Sequence, residues 1–172
     1  MVTAMILAGG VGSRVGAECP KQFIEVFGKP ILAYTIEIYQ KNSQVEAIEI
    51  VCHEDWIDYL KKMIKKYDLS KVRWITQGGK TFQESVINGM KYLKDKLNMD
   101  DIVMIHYGAA PFSSQHIIQD GIEKCRKYGM SVSCTPCFQL MGSNDGNGKS
   151  KQWIDRDKQV QICCPQSFLS LI

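Results

Sequence analysis

Short apolar runs alternate with amphipathic stretches along most of this chain, and this alternation limits the folds that it can adopt. The runs are rich in Val and Ile and end at turn residues, which is typical of buried strands. The stretches between them carry helix-start signals, such as Thr81 with Glu84 in capping-box spacing. Strands that alternate with helices form a parallel sheet. We therefore predict an α/β fold, with a Rossmann-like, mostly parallel sheet and helices on both faces.

The element boundaries follow from the same pattern. The predicted strands are Val2–Ala8, Ala47–Cys52, Val72–Thr76, Asp101–His106 and Met130–Thr135. The predicted helices are Ile31–Gln40 after Pro30, one capped by Asp55, one from Thr81 to about Leu97, and one that begins at Ser113 or Ser114. Ligands of such sheets bind beyond the carboxyl ends of the strands. The loops predicted to carry function are Ala8–Arg14, Cys52–Asp55, Gln77–Lys80 and His106–Phe112.

The segment Phe138–Asp155 departs from this alternation. Gly, Asn and Asp residues are dense at its centre, and apolar residues flank them, which predicts a β-hairpin with an exposed tip. We expect residues 1–172 to form a single domain with residues 138–155 as a protruding arm. A two-stranded hairpin is marginal alone, and Phe138, Leu140 and Trp153 are too apolar to project into water. The arm therefore predicts a homodimer.

Composition excludes several classes of protein. Lys and Arg number 21 against 18 Asp and Glu, a net charge of +3, which is too mild for a nucleic-acid binder. No apolar segment reaches the roughly 18 residues of a membrane span, and the N-terminus lacks the features of a signal peptide. The seven cysteines lack the spacing of a zinc site and are most simply buried thiols. We expect a cytoplasmic protein that binds neither nucleic acid nor membrane.

A glycine-rich loop follows the first predicted strand. Gly9, Gly10 and Gly12 let backbone N–H groups approach phosphate oxygens, and Arg14 and Lys21 add positive charge. The dinucleotide fingerprint fails because its third glycine is a valine here. A plain tight turn is the alternative, although it needs only one or two glycines.

Of the three histidines, His106 alone ends a predicted strand at the functional edge. The three are scattered without ligand spacing, and no nucleophile elbow accompanies them, so Ser-His-Asp hydrolysis is not supported. His106 is therefore the one histidine that we consider as a candidate site residue.

Several motifs occur in a fixed order, and they are Leu7-Ala-Gly-Gly-x-Gly-x-Arg14, Pro20-Lys-Gln-Phe23, Gly78-Gly-x5-Ser85-Val86-x-Asn88-Gly89, His106-x-x-Ala109-x-Pro111-Phe112 and Pro165-Gln-x-Phe168. Over nearly the whole chain this order resembles the 2-C-methyl-D-erythritol 4-phosphate and ribitol-5-phosphate cytidylyltransferases. The resemblance implies a nucleotidyltransferase that serves isoprenoid biosynthesis or cell-wall polyol phosphates. In this reaction an oxygen of a phosphorylated polyol attacks the α-phosphate of CTP, and pyrophosphate leaves.

The resemblance also implies roles for individual residues. Arg14 and Lys21 match the catalytic pair that stabilises charge on the phosphates. The residues that match the nucleotide site are Ala8, Gly9, Gly10, Gly12, Gly79, Lys80 and Ser85. Arg156 matches the arginine that binds the polyol phosphate from an arm that crosses to the partner subunit. Mg²⁺ is the expected cofactor.

Several positions depart from the family's pattern, including Gln139-Leu140 in place of Asp-Thr and Cys164 in place of Thr. Tyr107 stands where the family has its metal-binding Asp, and Phe82 and Ala110 each stand where it has an Arg. Tyr is a poor ligand for Mg²⁺, which prefers carboxylate oxygens, so the metal ligand is unknown. The family also continues for several dozen residues beyond the Phe168 motif. Two hypotheses therefore stand, namely a cytidylyltransferase-like enzyme and a degenerate, non-catalytic nucleotide-binding or assembly protein on the same fold.

Overall fold

A computed structural model of the chain describes residues 1–10 and 19–170. In chain order the strands are β1 (Val2–Ala8), β2 (Glu25–Val26), β3 (Lys29–Pro30), β4 (Ala47–Cys52), β5 (Val72–Gln77), β6 (Ile102–Tyr107), β7 (Met130–Pro136), β8 (Met141–Gly142), β9 (Trp153–Ile154) and β10 (Val160–Leu169). The helices are α1 (Ile31–Gln40), α2 (Ile57–Lys66), α3 (Phe82–Leu93) and α4 (Gln115–Tyr128). None of these helices has the length and hydropathy needed to cross a bilayer.

The central sheet has six strands in the order β5-β4-β1-β6-β10-β7. Strands β5, β4, β1 and β6 are parallel, and β10 runs antiparallel to both of its neighbours. The carboxyl ends of the four parallel strands therefore meet at one edge of the sheet. The prediction of a mostly parallel α/β sheet is confirmed.

The alternation of side chains along β1 divides the core into two layers. Val2, Ala4 and Ile6 are buried in one cluster with apolar residues of α1, α2 and α4. Met5 points into the other cluster, where it is buried with Leu93 of α3. Each fully buried aliphatic side chain contributes roughly 1.5–3 kcal/mol, so a strand covered on both faces is a firm base for the loop that follows it. Helices on both faces are thus confirmed.

Two helix boundaries differ from the prediction. Asp55 does not cap α2, because His53 Nδ1 accepts the Asp55 N–H at 3.4 Å and a 3-10 turn over Glu54–Trp56 precedes the helix. Helix α3 ends at Leu93 rather than near Leu97, because the N–H of Lys96 turns back to the carbonyl of Leu93 at 2.8 Å.

Strand β10 and the small β2–β3 hairpin were not predicted. A proline inside an apolar run usually argues against a strand in the middle of a sheet, because proline has no N–H to donate. Pro165 nevertheless lies within β10. The ladder between β10 and β7 accommodates it with a register shift between Ile162 and Gln166. Pro30, predicted to open a helix, caps α1 and also belongs to the hairpin.

The predicted arm contains the hairpin β8–β9, in which Met141 pairs with Ile154 and Gly142 with Trp153. The paired region is shorter than predicted, since Phe138 and Leu140 precede it outside any strand. Phe138, Leu140 and Trp153 are 76%, 81% and 66% exposed. The apolar surface that predicted a partner is therefore open to solvent in the isolated chain.

Candidate functional site

A cavity of about 530 Å³ lies at the carboxyl edge of the parallel strands. It is formed by the loops after β1, β5 and β6, together with the turn at Lys21 and the first turn of α3. The predicted loop Cys52–Asp55 does not line it. The described residues that line it are Leu7, Gly9, Gly10, Lys21, Gln22, Gly79, Lys80, Thr81, Phe82, Ser85, Tyr107, Gly108 and Ala109.

Gln22 fixes the loop that follows β1. Its side chain is buried, and Nε2 donates to the carbonyl oxygens of Ala8 at 2.8 Å and of Gly10 at 2.9 Å. These bonds satisfy the polar backbone of a loop that has left the sheet, and they bring the neighbouring Lys21 to the cavity. No role was predicted for Gln22, although it lies in the Pro-Lys-Gln-Phe motif.

The loop between β5 and α3 forms the opposite side of the cavity. The hydroxyl of Ser85 accepts the Gly79 N–H at 3.0 Å and donates to the carbonyl of Thr81 at 2.9 Å. A Cβ on Gly79 would lie 2.3 Å from the Cβ of Glu84, so only glycine fits there. Ser85 thus holds the loop in shape and also lines the cavity.

The capping box at the start of α3 is only half formed. Thr81 Oγ1 accepts the N–H of Glu84 at 3.1 Å, as predicted. The carboxylate of Glu84 instead accepts the N–H of Lys80 at 2.8 Å. The tight turn at Gly79 brings Lys80 rather than Thr81 within reach of that carboxylate. The backbone of Lys80 is therefore held at the edge of the cavity.

Positive charge surrounds this cavity. Lys21 and Lys80 are exposed and line it from two sides, and the N-terminal end of α3, whose backbone dipole favours anions, opens beside them. Gly12 and Arg14, which were predicted to bind and activate phosphates, lie outside the described residues. The described part of the site therefore suits a ligand that carries phosphate.

His106 supports the site without lining it. Its ring is buried, Nδ1 lies 2.9 Å from the carbonyl oxygen of Tyr107, and Nε2 lies 2.9 Å from the hydroxyl of Ser113. A carbonyl oxygen only accepts, so we assign the proton to Nδ1, and Nε2 accepts from Ser113. Burial lowers the pKa of His106 to about 4, so the ring is neutral at physiological pH. It is a positioning group for the backbone of Tyr107.

Tyr107 and Phe82 meet at the cavity. Their ring centroids are 5.8 Å apart and the ring planes cross at 63°. No group of three or more His, Cys, Asp or Glu side chains able to hold a metal ion occurs in the described part of the chain. The family's metal-binding position is thus filled by an aromatic ring, and the described residues hold no dedicated cluster of metal ligands.

Arg156 lies away from the cavity of its own chain. Its guanidinium is exposed on a 3-10 turn after β9, donates from Nη1 to the carbonyl of Phe138 at 3.2 Å, and lies 3.9 Å from the carboxylate of Asp157. Within one chain it is not a ligand of the cavity described above.

Comparisons with known proteins agree with this architecture. The family model of 2-C-methyl-D-erythritol 4-phosphate cytidylyltransferase matches residues 2–172. A ribitol-5-phosphate cytidylyltransferase of Lacticaseibacillus paracasei is 36% identical over 98% of this chain and 72% of its own length. A 2-C-methyl-D-erythritol 4-phosphate cytidylyltransferase of Clostridium novyi is 39% identical over 96% of this chain and 70% of its own length.

A solved structure extends the comparison to three dimensions. The crystal structure of 4-diphosphocytidyl-2C-methyl-D-erythritol synthase from Anaerococcus prevotii has a TM-score of 0.80 at 25% identity, and the match covers 99% of this chain and 71% of that one. The predicted nucleotidyltransferase fold is thereby confirmed. The chain belongs to the 2-C-methyl-D-erythritol 4-phosphate cytidylyltransferase family.

Proposed function

We propose that this protein transfers CMP from CTP to a phosphorylated polyol and releases pyrophosphate. The observation that carries the proposal is the cavity at the strand ends, where glycine backbone, the Ser85 hydroxyl and two lysines converge. Backbone groups close to a ligand suit recognition of a small pyrimidine, and the lysines suit its phosphates. The relatives named above carry out transfers of this class, to ribitol 5-phosphate and to 2-C-methyl-D-erythritol 4-phosphate.

The chemistry requires positioning and charge neutralisation more than covalent participation by the protein. A phosphate oxygen of the acceptor forms a bond to the α-phosphorus, which gives a diphosphate bridge, and the bond from that phosphorus to the bridging oxygen of pyrophosphate breaks. The attacking phosphate oxygen carries negative charge, so no hydroxyl proton has to be removed. Lys21, with Arg14 beyond the described residues, would offset negative charge that grows on the transferred and departing phosphates. Lys80 and the backbone of Gly79 would hold the nucleotide.

We propose that magnesium enters bound to the triphosphate. Bound in that form, the ion would supply charge neutralisation on the phosphates without a dedicated set of carboxylates in the protein. This view is supported by the aromatic ring at Tyr107, where the family has its metal-binding carboxylate.

A homodimer through the arm accompanies this function. Phe138, Leu140 and Trp153 expose apolar surface that a second copy would cover. Arg156 would then lie near the partner's cavity and bind the phosphate of the acceptor. We also propose a cytoplasmic location, where CTP is made.

The test measures pyrophosphate release from CTP with ribitol 5-phosphate and, separately, with 2-C-methyl-D-erythritol 4-phosphate. We expect release with at least one acceptor, and a loss of about tenfold or more in CTP affinity for Lys21→Ala, since a contact to a charged group contributes ~1.5–3 kcal/mol. Lys61→Ala, an exposed lysine on α2, is the matched control and leaves affinity unchanged. Absence of CTP binding would contradict the proposal.

The second candidate is a nucleotide-binding protein without turnover. The observation that favours it is the pair Phe82 and Tyr107, which occupies two positions that are charged in the family. Tight CTP binding without pyrophosphate release from any polyol phosphate would identify this candidate. Misplacement of a reacting group by ~1 Å can lower a rate by ~10²-fold, so binding and turnover are separable.

A further inference from the structure

The rings of Phe82 and Tyr107 reach the cavity from two different sides. Phe82 is the first residue of α3 and follows β5, whereas Tyr107 is the last residue of β6. In the sheet β4 and β1 lie between those two strands, so the end of β1, with Gly9 and Gly10, lies between the two ring-bearing segments. Both rings line the cavity, and their centroids are 5.8 Å apart in an edge-to-face contact.

Both rings remain accessible despite this contact. Phe82 is 45% exposed and Tyr107 is 43% exposed, and both line the cavity. Aromatic side chains contribute most when their large apolar surface is covered, so half-exposed rings forgo much of that contribution. A ligand in the cavity would cover ring surface that the protein alone leaves open.

Tyr107 combines a fixed backbone with a ring that has room to turn. The carbonyl of Tyr107 is held by neutral His106, which in turn is held by Ser113. The ring also borders a second cavity of about 320 Å³, lined in part by Ala110, Phe112 and Ile162. Rotation of the ring off Phe82 would place it against the apolar side chains that line this open hollow.

We propose that Phe82 and Tyr107 form an aromatic gate over the nucleotide cavity, and that the two rings part to admit CTP and then close on its nucleoside. The identity of the nucleotide rests on the proposed function. A nucleobase is flat and stacks on aromatic rings, whereas phosphates need the charge that Lys21 and Lys80 supply. The gate therefore fits the nucleoside end of the ligand. It holds that end by apolar contact, which needs no metal.

The gate acts as one unit because each ring supports the other. Removal of either ring leaves its partner without the contact that holds it over the cavity. Phe82→Ala and Tyr107→Ala should each raise the Kd for CTP by about tenfold and speed dissociation, since each removes aromatic surface on which the base stacks. The double variant should lose little more than either single variant, because coupled residues are not additive.

Calorimetry and stopped-flow dissociation of CTP, measured in EDTA, test the gate. Tyr107→Phe keeps the ring and should keep the affinity, whereas Phe82→Leu keeps apolar volume without a ring and should lose it. Tyr92→Ala removes an aromatic residue of α3 that is 40% exposed and does not line the cavity, so it should leave Kd unchanged. Thermal unfolding of each variant verifies the fold.

The outcomes separate the gate from the proposed function. If the unsubstituted chain binds CTP and Phe82→Leu and Tyr107→Ala bind it equally well, the gate is wrong and the proposed function stands. If Tyr107→Phe loses as much affinity as Tyr107→Ala, the hydroxyl rather than the ring holds the ligand, and the gate is again wrong. If the unsubstituted chain binds no CTP, both fail.

Discussion

The two sides of the nucleotide cavity differ in what builds them. Along β1 and β5, glycines and Ser85 present backbone groups at close range, and the family's glycine and serine positions are kept. Across the cavity, Tyr107 at the end of β6 meets Phe82 at the start of α3, and both stand where the family's pattern has charged side chains. A backbone surface depends on sterics that few residues satisfy, because a Cβ on Gly79 would overlap Glu84. Side chains such as those of Phe82 and Tyr107 can be exchanged without disturbing the loops. The chemistry of that part of the cavity can therefore differ between proteins of the same fold.

The largest expected effect comes from Gly79→Ala, which changes the side of the cavity that is built from backbone groups. The new Cβ would lie 2.3 Å from the Cβ of Glu84, so the loop must move and the bond from Gly79 to Ser85 must break. We expect a loss of about hundredfold in CTP affinity, equivalent to ~3 kcal/mol. Gly121→Ala is the matched control, because its Cβ would make ordinary contacts of 3.5 Å or more inside α4 and should raise stability slightly. Equal CTP affinity in the two variants would show that the loop between β5 and α3, which contains Gly79, does not bind the nucleotide.

The second effect is a pH dependence of stability, which we expect from a buried carboxyl group in the central sheet. Glu49 on β4 is fully buried, one carboxylate oxygen accepts the Thr76 hydroxyl at 2.6 Å, and the other has no partner. Burial raises the pKa of Glu49 from 4.5 to about 7, against smaller lowering effects of Thr76 and Lys96. Between those two pH values the unfolded chain releases a proton that the folded chain keeps, so stability falls as pH rises.

That shift corresponds to a loss of about 3 kcal/mol in the free energy of unfolding, spread over pH 4.5 to 7, with no further loss from Glu49 above that range. Urea unfolding at several pH values measures it. Glu49→Gln removes the titration and should flatten the profile in this window, whatever its effect on absolute stability. An equal slope in both proteins would place the pH dependence elsewhere.

A third effect isolates the clamp on the glycine loop. Gln22→Ala removes both donated bonds and leaves the carbonyl of Ala8 with the long bond from the His53 N–H at 3.4 Å, whereas exposed Gly10 can turn to water. We expect ~1–2 kcal/mol of lost stability and weaker CTP binding. Gln22→Glu is isosteric but offers no donor to either carbonyl, so it should be at least as damaging. Retained stability in Gln22→Glu would mean that size rather than hydrogen bonding matters at this position.

Sequence reasoning succeeded where one physical rule decides the outcome. The apolar runs predicted the bounds of β1 and β4 correctly, because strands buried on both faces are mostly apolar, with Thr3 and Glu49 as the exceptions here. The glycine loop and Lys21 were placed at the cavity because carboxyl ends of parallel strands converge. Sequence reasoning failed where a local contact overrides a propensity. Asp55 was predicted to cap α2, but the side chain of His53 accepts the Asp55 N–H in the 3-10 turn ahead of that helix. It could not find Gln22, since pairing with two carbonyls depends on the path of a loop that no periodicity reveals.

The meeting of Phe82 and Tyr107 was also beyond prediction, because the two residues are far apart in sequence and come together only through the strand order. Each was identified separately as a departure from the family. Only the structure shows that the two departures form one contact, at 5.8 Å between ring centroids. Because the two substitutions face each other, they act together. They replace charge by aromatic surface at the place where the two rings meet.

The smallest expected effect is that of magnesium on the unsubstituted chain. Residue 107 offers no carboxylate, and the described residues hold no cluster of metal ligands, so we expect CTP affinity in magnesium and in EDTA to differ by no more than a few-fold. Tyr107→Asp restores a hard oxygen ligand at the end of β6 but removes one ring of the gate. In EDTA, Tyr107→Asp should therefore bind CTP more weakly than the unsubstituted chain does. Magnesium should raise the CTP affinity of this variant by about tenfold, since a contact to a charged group contributes ~1.5–3 kcal/mol. Adding Phe82→Arg should widen the difference between magnesium and EDTA further, because both sides of the former ring contact are then charged. Calorimetry of the three proteins in both buffers measures these differences. A large magnesium effect in the unsubstituted chain would mean that another carboxylate holds the metal, and the aromatic side of the cavity would then not be the reason for metal independence.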